Sequence, residues 1–261
     1  MTKNFAFPTP THQQAAETIC AYFSARPQTD AVLLVNSCAR GVATPLSDLD
    51  MAILVNPGLG AAGKDELENE WLQFYRQQPV FDRLRQLGRF SGVHLDLFDG
   101  EWTPEVWDEG GGPDDFEIAI GNQLVYSAPL WERGQAFGLL RARWLPYYDE
   151  ALRVQRLGMV RQACQLNIAR LEFYVGRGLY FQAFDRLYHA FQELLQAVFI
   201  SRRVYPIAYN KWMREQIVDW LNLPALYAGL APILQVRQLE SPELIEHGQA
   251  VLRLLDALAA A

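Results

Sequence analysis

Two stretches decide how this chain is read: Ala31-Val32-Leu33-Leu34-Val35-Asn36-Ser37-Cys38-Ala39-Arg40-Gly41 and Ser47-Asp48-Leu49-Asp50-Met51. The apolar run 31–36 predicts a buried strand that ends in a turn of small residues. Residues 48–55 predict a second strand, stopped by Asn56-Pro57-Gly58. Side chains two apart in a strand share a face, so Asp48 and Asp50 converge on one point. Neighbouring carboxylates resist ionisation unless a cation lies between them. A divalent ion meets that need, and Mg²⁺ favours one or two carboxylates plus substrate phosphates. The turn before them, with the Ser37 hydroxyl and the backbone near Asn36, is suited to cradling phosphates. Arg40 is placed to add a charge-assisted contact.

A third carboxylate is predicted on a later strand. Residues 92–98, Gly-Val-His-Leu-Asp-Leu-Phe, alternate in polarity. Asp96 interrupts the apolar residues there, which is costly unless it is paired or exposed at a site. If this strand lies beside that of Asp48 and Asp50, three carboxylates meet. That is equipment for in-line nucleotidyl transfer, with metal ions on the phosphates and a carboxylate to deprotonate the attacking hydroxyl. Asp96 is either that base or a third metal ligand. His94 shares its face and is read as a structural hydrogen-bonding residue.

The pattern resembles the nucleotidyltransferase superfamily that includes polymerase beta. Its signature is a hydrophobic residue, Gly, then Ser or Gly, and later an Asp-hydrophobic-Asp pair. A tighter form is typical of the small bacterial branch with the minimal and aminoglycoside nucleotidyltransferases. Ser37, Ala39, Arg40, Gly41, Ser47, Asp48 and Asp50 match that form. The resemblance covers residues 31–98. It implies a polymerase beta-like domain with Mg²⁺ on Asp48, Asp50 and Asp96, and a nucleoside triphosphate, ATP above all, held near Asn36, Ser37, Arg40 and Ser47. It also implies a helical domain that closes over the cleft. One departure is Asn36, where the family has Gly. Glycine allows positive φ and close backbone approach, and Asn is the next most tolerant residue. The substitution bears on turnover rather than on fold.

Outward from this centre, residues 11–26 predict a helix, with Thr11 and Gln14 as a capping box. Residues 65–87 predict helix broken at Pro79. The segment 108–117 reads as a solvated acidic loop, and 116–127 as a strand pair or extended segment. Beyond Pro129 no strand pattern is visible. On 179–199, Phe184, Leu187, Tyr188, Phe191, Leu194, Leu195 and Val198 form an apolar stripe, and Gln182, Arg186, His189, Glu193 and Gln196 a polar one. The fold class expected is therefore α+β: a mixed-sheet nucleotidyltransferase domain over 1–130, then an all-α helical bundle over 131–261. In the helical half, Lys211 lies in an aromatic-rich turn (Tyr205, Tyr209, Trp212) and is a candidate triphosphate partner. Gly58-Leu59-Gly60-Ala61-Ala62-Gly63-Lys64 mimics a phosphate-binding loop. It fails where Asp65 replaces the Ser or Thr that holds Mg²⁺, and reads as a flexible loop.

Composition bounds the partners. Of 261 residues, 50% are hydrophobic and 20% charged, which fits a folded globular chain. Asp plus Glu total 30 against 23 for Lys plus Arg, a net charge of −7. That repels phosphate backbones and disfavours nucleic acid. The three cysteines, Cys20, Cys38 and Cys164, form no CxxC pair, so neither a zinc knuckle nor a disulfide framework is expected. The first residues carry no apolar signal segment, and no run is long enough to span a membrane. A cytoplasmic location is expected, with a homodimer left open. The reaction expected is AMP transfer from ATP to a hydroxyl of a small-molecule acceptor, an aminoglycoside-like one among the candidates. The alternatives are antitoxin-like adenylylation of a partner protein and a catalytically weakened nucleotide-binding module.

Overall fold

The computed structural model describes residues 5–105 and 111–259. The fold is α+β, with a four-stranded mixed sheet and a separate helical assembly. The chain forms two compact units. One holds Met1–Trp102 and Ala119–Leu145, the other Thr103–Ile118 and Pro146–Ala261. The sequence boundary near residue 130 falls inside the first unit, which continues through helix α6 (Ala136–Trp144).

In the first unit, helix α1 spans Pro10–Ser24. Its N-cap is Thr9 rather than Thr11: the Thr9 hydroxyl accepts the His12 N–H at 3.3 Å. Pro10 at the first helical position loses no hydrogen bond and has φ preset for a helix, so the helix starts ahead of the predicted capping box. The strands are β1 (Thr29–Leu34), β2 (Leu49–Val55), β3 (Val93–Phe98) and β4 (Ala128–Glu132), in the order β3-β2-β1-β4. β1 is antiparallel to β2 and β4, whereas β2 and β3 run parallel. Between β2 and β3, helices α3 (Gly60–Arg76) and α4 (Pro79–Arg85) are separated at Pro79, as the sequence predicts.

One sheet face carries the core. Leu49, Met51, Ile53 and Val55 of β2 pack with Val32 and Leu34 of β1 against Ile19, Phe23, Leu67, Trp71 and Phe81 of the helices. The Trp71 ring lies 5.3 Å from Phe23 and 5.6 Å from Phe81. Truncating it to Ala leaves a cavity worth about 3–5 kcal/mol. The alternate residues of β2, Asp50, Ala52 and Leu54, point to the opposite face.

Residues 116–127 are not strands. Helix α5 (Phe116–Ile120) runs into a π-helical turn at Gly121–Val125. Phe116, Ile120 and Leu124 recur every fourth residue and are all buried, so the apolar run has a helical period that outweighs its β-branched content. The missed strand is β4, an edge position where Pro129 is tolerated beside a register shift.

The second unit contains helices α7 (Glu150–Ala169), α8 (Leu171–Gly176), α9 (Tyr180–Arg202), α10 (Pro224–Ile233) and α11 (Glu243–Ala259). The Asp149 carboxylate caps α7 through the Leu152 N–H at 3.0 Å. Leu187, Leu194, Leu195 and Val198 of α9 form its centre with Val160, Ile168, Leu244 and Val251. The polar stripe of α9 is only partly solvated, because Glu193 and Gln196 are fully buried.

The acidic segment departs from its solvated reading. Residues 108–110 lie outside the described residues. Further on, Asp114 and Glu117 are buried around the fully buried Arg156. Arg156 Nη2 donates to Asp114 Oδ1 at 2.6 Å and to Glu117 Oε2 at 2.8 Å, and Nε to Glu117 Oε1 at 2.6 Å. Gln196 Nε2 donates to both carboxylates at 2.8 Å, and the Tyr148 hydroxyl to Glu117 at 2.8 Å. Charge is buried here because it is paired and hydrogen-bonded on several sides. Among the described residues, no helix is long and apolar enough to cross a membrane.

Candidate active site

The site is built where β1 ends and β2 begins. After β1 the chain makes a single helical turn, α2 (Asn36–Ala39), with Val35 as its extended N-cap. Asn36 holds φ at +53°. This is the left-handed region that the Gly-to-Asn departure required, and Asn is the non-glycine residue best suited to it. Cys38 and Ala39 are buried beneath the turn. The Ser37 hydroxyl is buried and meets no nitrogen or oxygen partner, only the Cys38 thiol. A buried hydroxyl without such a partner has hydrogen-bonding capacity left over, which a ligand oxygen or a water could use. Burial, with Asp50 next, pushes the Cys38 thiol up to about 12, so it stays protonated and donates to the Asp48 carbonyl at 3.7 Å.

The carboxylates follow on β2 and β3. The parallel register sets Asp50 opposite His94 and Ala52 opposite Asp96. Asp48 precedes β2, and its carboxylate lies 3.6 Å from His94 Nε2. Burial raises Asp50 to about 6, and the negative charge of Asp48 adds to that. The Asn36 side-chain hydrogen bond and His94 draw it down, and Asp96 pushes it up slightly. Asp48, Asp50, His94 and Asp96 thus interact on the face away from the core. Among the described residues, no group of three or more His, Cys, Asp or Glu side chains is gathered closely enough to hold a metal ion unaided. Asp96 stays exposed on the edge strand. It also borders a cavity of about 300 Å³ with Lys64, Asp65 and Glu68.

The donor set fits a Mg²⁺ ion that shares its coordination with substrate. Two carboxylates adjoin, one of them raised by burial and by the other's charge, and a cation relieves both causes. Mg²⁺ asks for no complete protein cage.

No family model matches the sequence. No curated protein matches it either. Among solved structures, the chain is similar to a nucleotidyltransferase-like protein from Exiguobacterium sibiricum 255-15. The identity is 15% and the TM-score 0.48, over 94% of this chain and 74% of that one. Residue roles do not transfer at that distance.

The remaining expected site residues separate into two groups. Arg40 follows α2 directly, and its N–H donates to the Asn36 carbonyl at 3.1 Å. Ser47 closes a turn: its hydroxyl accepts the Thr44 N–H at 2.9 Å. Lys211 belongs to the second unit, where it is exposed. Its carbonyl accepts from Gln216 Nε2 at 2.8 Å, which fixes the backbone around it. The Gly58–Lys64 run is not the flexible loop expected: Pro57–Leu59 form a 3-10 turn and Gly60–Lys64 begin α3, from which Lys64 donates to Asp99 Oδ2 at 2.6 Å.

His94, read as a structural hydrogen-bonding residue on the face of Asp96, lies exposed on that face with Nε2 3.6 Å from the Asp48 carboxylate. Its place opposite Asp50 depends on strand register, which no local pattern reveals. His12, distant in sequence, reaches the Ser47 carbonyl at 3.0 Å.

Proposed function

We propose that the protein is a Mg²⁺-dependent nucleotidyltransferase that moves AMP from ATP to a hydroxyl of a small-molecule acceptor and releases pyrophosphate. The observation that carries this reading is the juxtaposition of Asp48 and Asp50 with a turn that holds Asn36 at positive φ and leaves the buried Ser37 hydroxyl without a nitrogen or oxygen partner. Asp48 and Asp50 would hold a Mg²⁺ ion, which would supply charge neutralisation at the phosphates. Ser37 donates to a phosphate oxygen. Asp96, exposed on the same face, takes the proton of the acceptor hydroxyl. The freed oxygen bonds to the α-phosphorus as the bond to the pyrophosphate oxygen breaks. His94 beside Asp48 adds positive charge when protonated. The chain's net charge of −7 favours a neutral or cationic acceptor over nucleic acid.

A second reading, transfer to a hydroxyl on a partner protein, draws on one observation. Leu46 and Phe90 are 64% and 79% exposed on the two loops that lead into Asp48 and β3. Ser91 Oγ ties these loops by donating to the Leu46 carbonyl at 3.0 Å. Exposed apolar side chains beside a site favour a protein surface as acceptor.

The test is Mg²⁺-dependent stabilisation by ATP for wild type, Asp50→Asn and Lys64→Ala. Stabilisation that needs Mg²⁺, is lost in D50N and survives in K64A supports the reading. Absence of stabilisation by all four nucleoside triphosphates rejects it. Label transfer from α-labelled ATP to a co-purifying protein, rather than to small molecules, would select the second reading.

A further inference from the structure

The backbone on either side of the Asp48 Cα is held by a buried side chain from another element. On one side, Cys38 Sγ donates to the Asp48 carbonyl. On the other, His12 Nε2 lies 3.0 Å from the Ser47 carbonyl. His12 is fully buried in α1. A carbonyl only accepts, so Nε2 carries the hydrogen. Nδ1 lies 2.7 Å from the Thr9 hydroxyl. The same hydroxyl accepts the His12 backbone N–H at 3.3 Å. Held at both ring nitrogens, the imidazole keeps one orientation.

The segment it grips has little other freedom. Ser47 N–H donates to the Thr44 carbonyl at 2.9 Å, and Leu49 N–H to the Gly92 carbonyl at 2.8 Å. The His12 bond restrains the Ser47–Asp48 peptide, from which the Asp48 Cα–Cβ bond projects.

We propose that His12 is a positioning residue: through the Ser47 carbonyl it aims the Asp48 carboxylate at the point where Asp48 and Asp50 share a cation. This inference rests on the transferase reading and deepens it. His12 touches neither nucleotide nor metal. It acts as outer partners of metal ligands do, by fixing a ligand's orientation.

The test compares wild type, His12→Phe, His12→Gln and Ile19→Ala. H12F keeps an aromatic ring and removes the donor. H12Q returns an amide N–H near the position of Nε2. I19A loosens the buried face of the same helix without touching the 44–48 turn. The readout is the Mg²⁺ concentration that gives half-maximal stabilisation by ATP. H12F raises it about tenfold, H12Q restores the wild-type value, and I19A lowers the melting temperature without moving the Mg²⁺ midpoint. If H12F does not fold, H12N, whose shorter amide stops short of Ser47, gives the same comparison. An H12F or H12N midpoint equal to that of I19A overturns the positioning role alone. A wild type that Mg²⁺ and ATP do not stabilise overturns the transferase reading beneath it.

Discussion

The Asn36 side chain acts on the carboxylate of Asp50, drawing its pKa down, while Asn36 itself holds φ at +53°. One residue therefore serves two needs: it tolerates the left-handed turn and steadies an otherwise crowded carboxylate. Asn36→Gly separates them. Glycine adopts that backbone without strain, so stability is expected to change by less than about 1 kcal/mol. The action of the Asn36 side chain is lost, and the Asp50 pKa is expected to rise above its wild-type value of about 6. A carboxyl-carbon NMR titration of Asp50 in both proteins reads the shift directly. A pKa that falls in the variant contradicts the assignment.

The raised pKa of Asp50 has a consequence for folding. In the folded state it stands at about 6, above the ordinary 3.8. The folded protein thus binds that proton more tightly than the unfolded chain does. The resulting stability is fully present below about pH 4 and is lost as pH rises through about 6. Asp50→Asn removes the charge and with it the loss. At pH 7 and above, ligand-free D50N is expected to exceed wild type by on the order of 2 kcal/mol, with the gap closing toward pH 4. Urea unfolding across that range decides it, and a gap that does not vary with pH would exclude Asp50 as its source. Mg²⁺ with ATP is expected to narrow the gap by stabilising wild type alone.

The strands β1, β2 and β3, the break at Pro79 and the shared face of Asp48 and Asp50 were legible because each depends on local spacing or on strand period. The place of Asp96 beside them rests on the pairing of β2 with β3, which the sequence left conditional. The positive φ at Asn36 was legible only through the resemblance, in which a glycine stands at that position. One miss was local: Phe116, Ile120 and Leu124 recur every fourth residue, a helical period that outweighed the β-branched content of the run. The other misses are non-local. Asp114 and Glu117 look solvated because their partner, Arg156, lies 42 and 39 residues away. His12 gives no local signal either, since the Ser47 carbonyl it holds lies 35 residues on. Long-range pairing of buried polar groups cannot be inferred from either neighbourhood.

Arg156 offers the sharpest test of that pairing. Arg156→Met leaves Asp114 and Glu117 buried without their cation, at an expected cost of about 3–5 kcal/mol. Neutralising the carboxylates in the same chain, as R156M/D114N/E117Q, removes the uncompensated charge. That triple variant is expected to be more stable than R156M alone, since the damage comes from stranded charge and not from a lost net attraction. Chemical denaturation of both variants against wild type provides the comparison. An R156M protein within 1 kcal/mol of wild type would mean that water reaches the carboxylates.

Glu193 makes the second unit sensitive to pH. It is fully buried, and burial lifts its pKa from the ordinary 4.5 to about 7. The bonds from Asn167 Nδ2, at 3.0 and 2.9 Å to the two carboxylate oxygens, oppose that rise, as does the charge of Arg186. The sign follows as for Asp50: stability is complete below the unfolded pKa near 4.5 and declines as pH climbs through about 7. Glu193→Gln is close in shape and carries no charge. It is expected to raise the melting temperature at pH 8 and to lose most of that advantage by pH 5. The gain at pH 8 is bounded at roughly 3 kcal/mol, less the cost of an added amide donor in the core. Asn167→Ala acts the other way, since it removes a bond that favours the charged carboxylate and so steepens the decline above neutrality. Melting curves of the three proteins from pH 4 to pH 9 test both expectations together. Parallel curves would show that Glu193 does not titrate between the folded and unfolded states in this range.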